Sequence, residues 1–282
     1  NSLLIGWSGQ LGSELLYILD NVVCLNRNEL DLENLNLDTV QYLDKFKIDC
    51  IINAAAYTNV DGAELDKELV FKINNNATKI LADYALKRNI KLVQYSSDFV
   101  FDSSDKQKLH NEDSEKATEL GVYAQSKLKM EEYLENLKGL DFLLIRTSWV
   151  YGNSNNFVRT IRSLLGKTNR VEVIDDSFGS PTSSFSLAKA SKYLIENNLS
   201  GTFNFSNSGG PISWYDFAEQ IAKYSGFKKS SVVPITTTDF LKKEFNKSRK
   251  IAKRPENSTL NLNKFTKLAY RPEEWKSELN KY

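Results

Sequence analysis

The chain reads as an α/β protein, a doubly wound parallel sheet with a smaller α+β unit attached, on three grounds. An apolar strand at the amino end, SLLI, runs into glycines at 6, 9 and 12 and then into an amphipathic helix. Further short apolar runs, VVCLN, DCIIN, KLVQYS and DFLLIRT, alternate with helical patterns as far as about residue 150. Strands separated by helices in this way form a parallel sheet covered on both faces. Beyond Gly152 the rhythm changes to short strands, helices and turn-rich loops.

The first element carries a chemical signal. Glycine lets the backbone turn tightly and approach a phosphate, and the following helix offers unpaired N–H groups and the positive end of its dipole. The spacing is G-x-x-G-x-x-G, not G-x-G-x-x-G, but a strand before and a helix after is the context of a Rossmann dinucleotide site. Gly6, Gly9 and Gly12 are therefore expected to bind a cofactor pyrophosphate; the competing reading is a plain glycine-rich turn.

The second strand ends at Asn26-Arg27 and leads to Leu30-Asp31-Leu32. In dinucleotide folds an acidic residue near this point takes the ribose 2′-hydroxyl, whereas an arginine accommodates a 2′-phosphate. With Asn and then Arg at the tip, Arg27 favours NADPH over NADH. The third strand ends in Ala54-Ala55-Ala56, small enough for a cofactor to pass over. Tyr57 follows, and Val60-Asp61 and Ala63-Glu64 open a helix expected to continue through FKINNNATKILADYALKRN. The fourth strand ends at Ser96-Ser97-Asp98, on the sheet edge where open α/β folds bind ligands. Ser97 is placed there to hydrogen-bond a substrate carbonyl, although two serines ending a strand are also ordinary turn chemistry.

A loop without period, from about Asp102 to Leu120, leads to GVYAQSKLK at the front of a helix. Tyr123 and Lys127 are one turn apart and share a face. A cation beside a phenol favours the phenolate and moves the group toward acid–base work near neutral pH, the chemistry of carbonyl reduction. The spacing is not unique: Tyr224 and Lys228 repeat it, but Gly226 lies between them where a helix should be ending. The fifth strand ends in Thr147-Ser148-Trp149 on the same edge, where a large aromatic is either core or the wall of a sugar pocket. Helix, strand, turn and helix follow, with Ser213 as the cap of a helix to about Tyr224 and a strand at Val232–Ile235. These readings divide the chain into a dinucleotide-binding domain, 1–150, with 183–206 crossing back to it, and a substrate-binding domain of 151–182 and 207–282.

Composition excludes other classes. With 37 basic and 36 acidic side chains the net charge is +1, so nucleic acid is not expected as a partner. No apolar run is long enough to span a bilayer and no basic-then-apolar leader opens the sequence, so a cytoplasmic protein with no membrane partner is expected. Cys24 and Cys50 lie in apolar runs and read as buried thiols in a reducing compartment. The single histidine, His110, lies in the polar run KQKLHNED and reads as a surface residue. One histidine cannot build a multi-histidine metal site, and no metal is expected.

A glycine loop, a strand-end serine and a downstream Tyr-x-x-x-Lys, in that order, resemble the extended short-chain dehydrogenase/reductase superfamily. The blocks GQLG at 9–12, NAAAYTNVDGAE at 53–64, SSDFVF at 96–101, VYAQSK at 122–127, RTSWVYG at 146–152, DDSFGSPT at 175–182 and RPENSTL at 254–260 narrow the resemblance to the dTDP-4-dehydrorhamnose reductase family. The resemblance implies reduction of a nucleotide 4-keto-6-deoxysugar by NADPH or NADH, in deoxysugar and surface polysaccharide biosynthesis. It implies that Tyr123 protonates the 4-keto oxygen, and that Lys127 holds the nicotinamide ribose and lowers the tyrosine's pKa. Ser97 takes the place of the family's usual threonine. Asp98 and Trp149 fall on substrate-contacting positions; Gln10, Leu11, Asp31, Leu32, Ala55, Ala56 and Tyr57 fall on cofactor-contacting ones. Phe99 stands where the family usually has tyrosine, Ser177 where it has glutamine and Ala124 where it has glycine. Phe99, Ser177 and Arg254 are counted with the substrate site.

Two other readings stand beside this one. The first is an epimerase, or a reductase of another nucleotide deoxysugar; an epimerase retains NAD and usually has the acidic residue that Asn26-Arg27 lacks. The second is a non-catalytic subunit that binds NADP through the same fold, against which Ser97, Tyr123 and Lys127 argue. The oligomeric state is open, a homodimer being compatible with the sequence.

Overall fold

The structure, a computed structural model, describes residues 1–247 and 250–282. In chain order its first elements are β1 (Ser2–Ile5), α1 (Gln10–Ile18), β2 (Val22–Leu25), β3 (Cys50–Asn53), α2 (Val60–Ala63), α3 (Lys67–Phe71), α4 (Ala77–Arg88), β4 (Lys91–Ser97), α5 (Val122–Asn136) and β5 (Phe142–Thr147). Next come β6 (Val150–Tyr151), α6 (Phe157–Thr168), β7 (Val171–Ile174), β8 (Phe178–Gly179), β9 (Thr182–Ser183), α7 (Ser184–Glu196) and β10 (Gly201–Asn204). The chain finishes with β11 (Ile212–Ser213), α8 (Trp214–Tyr224), β12 (Val232–Ile235), α9 (Thr237–Asn246), α10 (Asn263–Thr266) and α11 (Trp275–Lys281).

Six strands form one parallel sheet in the order β10-β5-β4-β3-β1-β2. Successive side chains of a strand point to opposite faces, so a strand covered on both sides is a nearly continuous apolar run. Leu3, Ile51, Leu92 and Leu144 enter one core with Leu81, Ala85, Met130 and Leu134 of α4 and α5. Their neighbours Leu4, Ile52, Val93 and Ile145 enter the other, against Leu11, Leu15, Leu187 and Leu194 of α1 and α7. β10, reached through α7, pairs with β5 at the sheet edge. A third core joins α6, α8 and α11 to β7 and β12 around Ile161, Phe217, Ile221 and Trp275. Among the described residues no helix is long and apolar enough to cross a membrane.

Three expectations are corrected. The segment after Tyr57 is not one helix: α2 ends at Ala63, and only from Lys67 is the chain unbroken, α3 passing through a π turn at Lys72–Asn76 into α4. The wider turn carries Asn74 inward, where its side chain bonds both the amide and the carbonyl of Tyr57. His110 is buried, not on the surface. Its ring stacks on Phe101 at 4.8 Å, its Nε2 lies 3.1 Å from the Asn257 carbonyl and its amide donates to the Thr259 carbonyl. The polar neighbours of His110 in sequence conceal this, because what buries it is a segment 147 residues downstream. Cys50 is buried as expected, but Cys24, on the edge strand β2, is only half-buried.

Candidate active site

The three glycines of the first loop have different tasks. Gly6 has φ +79°, and a Cβ there would lie 2.6 Å from the Ala55 amide nitrogen. At Gly12 a Cβ would lie 2.0 Å from the Gly6 carbonyl oxygen. These two positions let the loop fold and let β1 pass close to β3. Gly9 is the N-cap residue of α1, exposed, and its missing Cβ would meet only the Gly6 oxygen at 3.3 Å. It is therefore the glycine at which a phosphate can reach the N-terminal amides of α1.

Beside this loop lies a cleft of about 260 Å³ between the ends of β1, β2 and β3. Gly6, Arg27, Asp31, Leu32, Ala55 and Ala56, all expected at the cofactor, line it. Trp7, Ser8, Glu33 and Ile73 line it as well, and no motif pointed to them. Leu11 and Gln10 lie elsewhere. Leu11 is in the core, and Gln10 accepts from Asn156 at 3.0 Å and reaches the Val150 carbonyl. The strand tip is not free of carboxylates: Arg27 pairs with Glu33 at 2.8 Å and with Asp31 at 3.4 Å.

The carboxyl end of β4 meets the first turns of α5. The N-terminus of α5 is fixed by a residue far away in sequence, since Glu64 accepts from the Val122 amide at 2.8 Å. A Cβ at Gly121 would stand 3.1 Å from that carboxylate. Toward its other end, α5 is tied to β5 by the buried pair of Glu131 with Arg146, whose Nε and second guanidinium nitrogen donate at 2.9 and 2.8 Å. Ser126 takes the amide of Asn74 at 3.1 Å, joining α5 to the turn at Tyr57. Lys127 is 3% exposed and donates to the Tyr95 carbonyl at 3.1 Å, two residues before Ser97 on β4. Burial pulls its ammonium down to about 8, with Glu131 opposing.

Tyr123 is half-buried, with Phe99 edge-on to its ring at 6.0 Å and the Ser97 hydroxyl beside its phenol. Its phenol is not lowered as expected. Burial pushes it up to about 12, and the nearby Asp98 charge adds to this, with the Ser97 hydroxyl opposing. Lys127 does not offset this, since its ammonium is hydrogen-bonded to the Tyr95 carbonyl. A phenol so held is a neutral acid with a proton to give. Ser97 donates to Asp98 Oδ1 at 3.1 Å and accepts from the Phe99 amide at 3.2 Å. The second Asp98 oxygen accepts from Ser258, in the RPENSTL block. Asp98 is 2% exposed, and burial pushes its carboxyl up to about 7.

Phe99 also borders a small crevice with Gly121, Ala124, Lys253 and Arg254. It shares Asp102, Lys253, Arg254 and Pro255 with a larger cleft of about 550 Å³, walled by Lys106, Asp176, Ser177, Thr237 and Phe240. The Ser177 hydroxyl donates to the Pro255 carbonyl at 2.9 Å. Arg254 is paired with both carboxylate oxygens of Asp61, at 2.9 and 3.0 Å. Trp149 has φ +45°, unusual for a residue with a side chain, and stacks on Trp214. Tyr224 and Lys228 share no helix, since α8 ends at Tyr224 and Gly226 has φ +78°.

Known proteins share this arrangement of loop, sheet and helix. The family model described as RmlD substrate binding domain matches residues 1–282. A dTDP-4-dehydrorhamnose reductase of Aggregatibacter actinomycetemcomitans is 35% identical over 278 residues, covering 92% of this chain and 90% of its own. A dTDP-4-keto-6-deoxy-D-glucose reductase of Streptomyces niveus is 29% identical over 83% of this chain and 81% of its own. The crystal structure of dTDP-4-dehydrorhamnose reductase from Bacillus anthracis in complex with NADP superposes with a TM-score of 0.89 at 30% identity, covering 100% of this chain and 97% of that one. By the family model and these relatives together, the chain belongs to the dTDP-4-dehydrorhamnose reductase family.

Proposed function

We propose that the protein is an NAD(P)H-dependent oxidoreductase that reduces the 4-keto group of dTDP-4-dehydro-L-rhamnose or a close relative. The observation that carries this reading is that Tyr123 of α5 lies beside Ser97 and Asp98 at the carboxyl end of β4, with Lys127, one turn on, bonded to Tyr95 of the same strand. The cleft of about 260 Å³ suits the adenosine end of a dinucleotide, and the open Gly9 suits its pyrophosphate. Gly6, Gly9, Arg27, Asp31, Leu32, Ala55 and Ala56 would hold that group, with Tyr57 and Lys127 toward its nicotinamide end. Bound there, the cofactor supplies hydride to C4 of the sugar.

The chain's own residues do the rest. Tyr123 gives its phenolic proton to the ketone oxygen as charge develops there, and Ser97 shares that oxygen by hydrogen bonding. Lys127 keeps a cation under the phenolate that remains. Burial excludes water from this corner, which strengthens each of these interactions. The cleft of about 550 Å³ is large enough for the nucleotide, with Lys106, Lys253 and Arg254 as cations for its diphosphate. We take Phe99 and Ser177, which border these clefts, together with Trp149, as the sugar's surroundings. The missing hydroxyl at Phe99 and the short Ser177 favour a second reading, a different 4-ketosugar of the kind named for the Streptomyces relative.

We take residues 151–182 and 207–282 as the substrate-binding unit and the enzyme as cytoplasmic, consistent with its two free thiols. For a homodimer we propose the face of α1 and the adjoining α7, on which Leu16, Tyr17 and Phe185 are exposed. The reading is tested by incubating the protein with dTDP-4-dehydro-L-rhamnose and NADPH or NADH and following loss of reduced-nicotinamide absorbance. Turnover with the 4-hydroxy sugar as product is expected; binding of NADPH with no reduction of any 4-ketosugar would favour a cofactor-binding subunit instead.

A further inference from the structure

Ser97 has one hydrogen, and two acceptors compete for it. A hydroxyl offers one donor and two lone pairs. In this structure the hydrogen goes to Asp98 Oδ1, while the Phe99 amide occupies one lone pair. A serine in this state cannot donate to a ketone oxygen. The Ser258 hydroxyl meanwhile donates to Oδ2 of the same carboxyl group, from 160 residues away. Both groups are buried, Asp98 at 2% and Ser258 at 2% exposure, so water does not substitute for either partner.

We propose that Asp98 and Ser258 are positioning residues that set the direction of the Ser97 hydroxyl, Asp98 as a neutral acid with its proton on Oδ1 and Ser258 by occupying Oδ2. With the acid proton on Oδ1, Asp98 donates to Ser97, and the hydrogen of Ser97 is released toward the substrate carbonyl. No bond to substrate is made or broken in this step; one proton resides on the carboxyl group instead of in solvent. Ser258 matters because it decides which oxygen carries that proton: a donor already on Oδ2 leaves Oδ1 as the protonated site. This gives the RPENSTL block a task in the reaction although it is remote from β4 in sequence. It rests on the proposed reduction and deepens it.

Burial is what makes a neutral Asp98 available, since it holds the carboxyl group at about 7. The titratable group facing it comes from α5, the Tyr123 phenol, at about 12. From β4 and the carboxyl-terminal segment it meets Ser97 and Ser258, which do not titrate. The pH dependence therefore has a definite sign. Reduction should weaken as pH rises through about 7 and Asp98 ionises, and weaken again as Lys127 loses its proton at about 8.

The test is the kcat profile from about pH 5.5 to about 9 for wild type, Asp98→Asn, Ser258→Ala and Ser258→Thr. The amide introduced by Asp98→Asn would turn its oxygen to Ser258 and present a permanent N–H to Ser97. Asp98→Asn should lower kcat at low pH, where wild type is at its best, and shift the alkaline decline up by roughly one unit. Ser258→Ala should lower kcat about threefold to tenfold with KM little changed, and Ser258→Thr should restore it. A purely structural role would change thermal stability and leave the pH profile where it was. Overturning results are an Asp98→Asn profile that superposes on wild type, or a threonine variant no better than alanine. A readout without substrate separates this inference from the proposed reaction. The infrared carboxylic-acid band absent from Asp98→Asn should disappear from wild type near neutral pH. If that band titrates but no ketosugar is reduced, the reaction is wrong and the neutral acid stands; if no such band exists at any pH, the inference fails.

Discussion

Trp149 lies face to face on Trp214, ring centroids 3.5 Å apart and planes 14° from parallel. The Trp149 indole is also pressed on Gly179, where a Cβ would stand 2.6 Å from the ring. This arrangement holds Trp149 at φ +45° where β5 ends, while the Trp214 amide donates to the Ser177 carbonyl at 3.3 Å. A backbone in this region costs of order 1–3 kcal/mol and persists only when its surroundings impose it.

On the proposed reading, in which Trp149 borders the sugar, removing the stack should loosen the sugar's surroundings. Trp214→Ala should raise the KM for the sugar nucleotide about tenfold with a smaller change in kcat, and Trp214→Phe should restore most of it. Gly179→Ala should resemble Trp214→Ala, because its methyl collides with the indole. Steady-state kinetics check this, and loss of the near-ultraviolet circular dichroism of the indole pair reports the unstacking. An unchanged KM in the unstacked variants would remove Trp149 from the sugar's surroundings.

The glycine loop separates two kinds of substitution. Gly9→Val should weaken NADPH binding at least tenfold in a normally folded protein, since its side chain occupies the approach to α1. Gly12→Val should lower the melting temperature as well, because its Cβ would overlap the Gly6 carbonyl. Calorimetric titration and thermal unfolding distinguish the two; equal affinity in a folded Gly9→Val variant would mean that the pyrophosphate lies elsewhere.

At the tip of β2, Arg27 is shared by Asp31 and Glu33. Pairing with a 2′-phosphate requires it to turn from these carboxylates, which reduces its advantage. Arg27→Ala should raise the KM for NADPH more than that for NADH, and Glu33→Gln should lower the KM for NADPH. Equal effects of Arg27→Ala on both cofactors would show that Arg27 does not meet the 2′ position.

The sheet was legible because a strand covered on both faces is a nearly continuous apolar run, and SLLI, CIIN and FLLI carry three or four such residues each. Tyr123 and Lys127 were legible because a helical turn fixes their spacing. Long-range pairings were not. Ser258 on Asp98, Asn257 on His110, Glu64 on the α5 amide and Glu33 on Arg27 depend on segments that meet only in the fold. The same is true of the phenol's acidity: the sequence places a lysine one turn away, but the Tyr95 carbonyl claims it.

Burial of Asp98 also couples folding to pH. Its folded pKa, about 7, lies above the ordinary carboxylate value, so the native state binds this proton more tightly than the unfolded chain. That contribution is complete below the unfolded value of about 4 and is lost as pH rises through about 7. Asp98→Asn does not titrate. Its stability relative to wild type should rise between about pH 4 and about pH 7, by on the order of 4 kcal/mol, and level off above. Denaturant unfolding of both proteins across this range measures the difference, and a constant gap would show that Asp98 is ionised in the native state.

Everything proposed for the reaction depends on Tyr123 giving its proton to the ketone with Lys127 in support. The decisive quantity is kcat for dTDP-4-dehydro-L-rhamnose with Tyr123→Phe, beside Tyr224→Phe at the chance Tyr-x-x-x-Lys spacing. General acid catalysis contributes about 10²–10⁴ in rate, so Tyr123→Phe should lose that much while cofactor affinity, read by calorimetry, stays near wild type. Lys127→Met should lose at least as much, and Tyr224→Phe should be unchanged. Near-normal turnover in Tyr123→Phe would refute its role as proton donor, and a loss in Tyr224→Phe instead would put the active site elsewhere.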